Sequence, residues 1–165
     1  MGDKVTFAVS CTPQEELQDE NAGTRYVLSS EVGTSLGGSG ACVCTDYANT
    51  AAAQGYKNAT VNYLEGIDSA DTTDISADAN ARFVFIKNTG FEFSTATALG
   101  SSLNKALKVM VGTTLISVLD PGEAIILKDD NAGIACTGIH VRTVDLDGSN
   151  NTSAGHLAVE YLVID

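Results

Sequence analysis

Between residues 82 and 165 the apolar positions fall in short runs of five to nine residues, and turn-forming residues separate almost every pair of them. The runs are RFVFIKN (82–88), LKVMV (107–111), TTLISVL (113–119), EAIIL (123–127), GIHVRTV (138–144) and HLAVEYLVI (156–164). Gly112, the trio Asp120-Pro121-Gly122, DDNAG (129–133) and LDGSNNTSAG (146–155) lie between them. Val, Ile, Thr and aromatic residues suit a pleated, half-buried surface, whereas Pro, Gly, Asn and Asp pre-set the dihedrals that reverse a chain. The pattern predicts an all-β fold, an antiparallel β-sandwich or jelly roll.

The first 80 residues carry fewer signals. VTFAV (5–9) alternates Val5, Phe7 and Val9 against Thr6 and Ala8, as a half-buried strand does, and TRYVLS (24–29), ACVCT (41–45) and TVNYL (60–64) are further strands. The acidic stretch 11–23 and the Gly- and Ser-rich stretch 31–41 read as loops or an arm. Asn49 and Gly55 bracket one short helical turn, and Ala96, Leu99, Leu103 and Ala106 recur at helical spacing, although Gly100 makes that second stretch a loop with at most a turn. Acids at 68, 71, 74 and 78 predict a solvated connection, where a boundary between two halves would fall; otherwise residues 1–165 form a single domain.

Two runs stand out because both of their faces are apolar. In 156–164, Leu157, Val159, Tyr161 and Val163 share one face, and Ala158, Leu162 and Ile164 share the other with Glu160. Phe83 and Phe85 back onto Val84 and Ile86 in the same way. Such strands are central in a sheet, covered by core on one side and by a loop or neighbouring subunit on the other. Phe83, Phe85, Tyr161 and Leu162 are therefore candidates for a contact between copies.

Charge narrows the partners. The chain carries 21 Asp and Glu against 9 Lys and Arg, a formal net charge of −12. Nucleic-acid binding rests on basic patches that release counterions, so this balance argues against it, and the charge also opposes anionic membranes. No apolar run approaches the roughly 20 residues that cross a bilayer, and the N-terminus lacks the apolar core of a signal peptide, which predicts synthesis in the cytoplasm.

Sparse motifs offer little chemistry. Gly33-Thr34-Ser35-Leu36-Gly37 matches the pattern of a hydrolase elbow, but that elbow needs a buried strand before the Ser and a helix after it, and here the Ser lies in a Gly-rich stretch. Asp145, Asp147, Asn150 and Asn151 have the oxygen density of a calcium loop without its terminal Glu, which favours a turn closed by Asp and Asn side chains over a weak calcium site. Cys11, Cys42, Cys44 and Cys136 lack zinc-ligand spacing, which favours reduced packing thiols over a disulfide or a metal site. His140 and His156 flank the polar loop and read as structural. The absence of Trp counts against a sugar-binding platform. No catalytic, cofactor or metal residues are expected.

The order FVFIKNTG, LKVMVGTTLISVLDPGEAIILKDD and a terminal HLAVEYLVID resembles small virion proteins of tailed bacteriophages. The resemblance covers 82–165 and implies a non-enzymatic capsid decoration, or cement, protein on the capsid exterior. Its partners would be the major capsid protein and further copies of itself, as a trimer. On that view the N-terminal segment up to Leu36 contacts the capsid, with Val5, Phe7 and Val9 as apolar anchors. The alternative is a receptor- or glycan-binding fibre module.

Overall fold

A computed structural model of the chain describes residues 3–19, 23–28, 36–44, 63–66, 73–75, 81–129, 133–135, 138–151 and 155–164. The described residues form antiparallel β-structure and no helix, as the sequence pattern predicts. The chain divides into two compact units, residues 4–43 and residues 44–165 together with 1–3, so the boundary lies earlier than the acidic connection.

The smaller unit holds β1 (Asp3–Cys11), β2 (Gln14–Asp19), β3 (Gly23–Leu28) and β4 (Leu36–Cys44). β1 pairs with β4, and β2 pairs with β3 in register from Gln14 opposite Leu28 to Asp19 opposite Gly23. Both stretches expected as loops are therefore strands in part. The acidic residues of β2 gain ladder hydrogen bonds from β3, and Gly40 of β4 leaves room for Phe7, whose ring would lie 2.7 Å from a Cβ at that position.

The larger unit is a sandwich. One sheet runs β11 (Ala124–Lys128), β7 (Phe83–Thr95), β13 (Leu157–Ile164), β5 (Tyr63–Gly66), with β8 (Ala98–Ser102) also on β7. The other runs β10 (Thr114–Leu119), β9 (Ala106–Val111), β12 (Ile139–Val144), β6 (Thr73–Asp74). β7 and β13, the two runs with apolar faces, lie side by side inside the first sheet. Val84, Ile86, Leu157, Val159 and Val163 meet Leu107, Val109, Ile139 and Val141 in one core. Each such side chain contributes roughly 1.5–3 kcal/mol when fully removed from water.

Tertiary pairing overrides two local expectations. Residues 96–106 hold a tight turn at Ala96-Thr97 and strand β8, because β7 offers a ladder and Gly100 disfavours a helix. Within the acidic connection, Thr73 and Asp74 pair with β12 and Ile75 is buried in the core. The short helical turn expected at 49–55 lies outside the described residues.

Two buried polar side chains join the sheets. Asn88 donates through Nδ2 to the carbonyls of Lys105 and Leu119, both at 2.9 Å, and accepts through Oδ1 from the Gly90 amide at 2.9 Å. Thr143 donates through Oγ1 to the Gly66 carbonyl and accepts from the Leu157 amide at 2.9 Å. Buried polar groups persist only when satisfied in this way.

The NTG and PGE sequences interlock around Asn88. NTG is a bulge inside β7: Glu92 lies opposite Leu157, Asn88 lies opposite Val159, and Gly90 has φ +75°. Asp120 to Glu123 is a reversal with Pro121 second, Gly122 third at φ +89°, and the Glu123 amide on the Asp120 carbonyl at 2.9 Å. That turn gives the Gly122 amide to the Asn88 carbonyl at 2.9 Å and takes the Asn88 amide on the Glu123 carbonyl at 3.0 Å. A Cβ on Gly90 would stand 3.1 Å from Pro121, so glycine permits the close approach.

Candidate interaction surfaces

The outer face of the first sheet carries the residues expected at a contact between copies, and the fold separates them. Register places Ile126, Phe85 and Leu162 side by side, all half-buried. Phe83 lies on that face but is buried, and Tyr161 points the other way, into the core. A contact built on this face therefore uses Phe85 and Leu162, not Phe83 or Tyr161. Burial of Tyr161 pushes its phenol pKa up, because the phenolate loses its hydration. The next row on the face is polar, with Lys87 paired to Glu160 at 3.2 Å.

In the smaller unit Val5 and Phe7 are half-buried and Val9 is 57% exposed. Gly37 lies beside Val9, and Gly40 beside Phe7. Leu36, next to Gly37 in sequence, is 54% exposed. The β1–β4 ribbon therefore leaves two large apolar side chains near one end, and neither strand has another partner among the described strands. Of the three expected anchors only Val9 is exposed.

The outer face of the second sheet differs from both. Along register rows, Leu115 stands beside Met110 and His140, and Val118 beside Lys108 and Arg142. β10 is an edge strand with no charged residue, and it exposes Leu115 (51%), Ile116 (43%) and Val118 (36%). Natural edge strands are commonly blunted by Lys or Pro, and β10 has neither. Lys108 and Arg142 are direct cross-strand neighbours of like charge, an arrangement that ordinarily destabilises a sheet. Among the described residues neither has a carboxylate partner: Arg142 donates to the Asn150 side-chain oxygen, and its Nε is buried without a partner.

The candidate chemical groups have local structural partners. Asp145 receives the Lys105 ammonium, and the Ser149 amide donates to Asp147 Oδ1 at 2.9 Å, the arrangement of an Asx turn. Hydrogen bonds from Ser149 hold the exposed Asp147 carboxyl below the usual carboxylate range. Among the described residues no three His, Cys, Asp or Glu side chains converge. His156 Nδ1 lies 2.6 Å from Glu65, while His140 belongs to the other sheet, so the two histidines are not a site together. Ser35 and Cys136 lie outside the described residues. Cys42 is buried on β4, whereas Cys11 is an exposed free thiol at the end of β1.

Sequence reasoning found β10 as a strand but missed its exposed face and the Lys108–Arg142 pair. The signal was present only as spacing, since the two cations become neighbours through the β9–β12 register. Comparison with protein-family models, with curated proteins and with solved structures finds no match to this chain.

Proposed function

We propose that the chain is a non-enzymatic structural protein of a tailed-phage virion, a decoration protein that binds the capsid exterior and reinforces it. The observation that carries the reading is the β1–β4 ribbon, where Val9 and Leu36 are exposed on strands that have no second partner among the described strands. Burying such residues against a capsid subunit removes apolar area from water, and an open edge accepts an added strand. Binding to the assembled shell alone then stabilises the shell by mass action. The resemblance of 82–165 to virion proteins supports this reading, and the charge of −12 disfavours residence beside packaged DNA. Copies of the chain associate with one another as well as with the major capsid protein.

Virions of the source phage, purified and analysed for this chain, provide the test. The chain is expected in the particles, and particles lacking it should melt at lower temperature. Val9→Asp with Leu36→Asp should bind stripped capsids more weakly while the sandwich stays folded. Absence from virions, or an unchanged capsid melting temperature without the chain, overturns the reading.

A further inference from the structure

We infer that the β10–β9–β12 outer face is the socket through which one copy of this chain holds the next, and that the acidic β2–β3 hairpin of the neighbouring copy is what it holds. The inference rests on the self-association in the proposed function and not on the virion location. Two independent features point to a docking face: exposed Leu115, Ile116 and Val118 on an edge strand, and the adjacent Lys108 and Arg142 without a carboxylate partner among the described residues. In a chain with 21 acids and 9 bases, two cations set side by side beside an apolar patch call for a carboxylate-bearing occupant.

Symmetry narrows that occupant further. A two-fold contact would set the same patch against itself, bringing four cations together, so an isologous dimer through this face is disfavoured. A heterologous contact, face of one copy to another surface of the next, avoids that repulsion and closes into a ring when the rotation allows. The acidic surface must then come from elsewhere on the chain. Its densest acidic run is 15–20, with Glu15, Glu16, Asp19 and Glu20, and the first three of these lie on β2. β2 and β3 pair only with each other among the described strands. In the ribbon register Val27 lies opposite Glu15, and Leu17 shares their parity, so apolar and acidic positions alternate along one side of the hairpin.

Charge reversal tests the inference on the full chain, with mass measured by light scattering at micromolar concentration and folding by circular dichroism. Wild type should run as a multimer. Lys108→Glu with Arg142→Glu should run as a folded monomer, and so should Glu15→Lys with Asp19→Lys, two acids of the same strand parity. The chain carrying all four substitutions should recover the multimer; it keeps the wild-type net charge of −12, because two cation reversals subtract four and two acid reversals add four. If the first variant misfolds, Lys108→Gln with Arg142→Gln removes both charges without reversing them and should still lose mass. A monomeric wild type, a face variant that associates like wild type, or a folded four-substitution chain that stays monomeric overturns the proposal. The first of these results leaves capsid binding by single copies intact, whereas absence from virions leaves the multimer intact, so the two readings fail separately.

Discussion

The sandwich and the smaller unit are both made of antiparallel strands, yet they use them for different ends. In the sandwich every central strand has neighbours on both edges and a core behind it, and Asn88 and Thr143 fasten one sheet to the other. Among the described residues of 4–43 the strands pair only as two-stranded ribbons, and Cys42 alone is buried among the described side chains. Two-stranded ribbons are marginal by themselves, whereas stacked sheets with a shared core are independently stable. Among the described residues, stability thus concentrates in the sandwich, and strands with a single partner make up the smaller unit. The proposed binding to another surface draws on both, a body that stays folded and strands with one partner each among the described residues.

The strongest test of that contrast is Asn88→Ala. It leaves the Gly90 amide and the Lys105 and Leu119 carbonyls unsatisfied inside the protein, which should cost about 3 kcal/mol or more, read as a lower urea midpoint for the sandwich. A midpoint within experimental error of wild type would show that Asn88 does not fasten the sheets. Thr143→Val keeps the shape but strands the Gly66 carbonyl and the Leu157 amide, for an expected loss of about 2 kcal/mol in the same titration. Gly40→Ala acts on the other side of the comparison. Its new Cβ forces the Phe7 ring aside, at about 1 kcal/mol, and amide exchange should quicken in β1 and β4 while β7 and β13 keep their protection. Loss of protection throughout the sandwich would refute independent stability.

Alkaline pH should produce a smaller effect. Burial raises the Tyr161 pKa, so the folded state holds the phenolic proton more tightly than the unfolded state does. Stability is flat below the unfolded value of about 10 and falls as pH rises through the folded value. Tyr161→Phe should remove that alkaline decline, and a decline of unchanged size in the variant would assign it to other groups.

The fold was legible in the sequence wherever a strand buries a full set of side chains. The alternation in 139–144 and the double apolar faces of 83–86 and 157–164 gave both the strands and the central place of β7 and β13. β2 and the start of β4 were not legible, because acidic and Gly-rich strands hold their place by pairing and contribute no apolar period. The candidate contact residues were half legible. Val9, Phe85 and Leu162 retain exposure, while Phe83 and Tyr161 read as surface only because parity along a strand says nothing of what covers a face.

By itself the sequence determined the class of fold, the turn at Asp120 to Glu123 and the acidic balance, since these depend on local dihedral preference, on the period of apolar residues and on a count of charges. The tertiary structure alone decided that NTG is a bulge clasped by the PGE turn, that Asn88 and Thr143 join the sheets, and that Lys108 meets Arg142 beside an exposed edge strand. Each of these depends on the register between strands far apart in the chain, and register is fixed by how two sheets share a core.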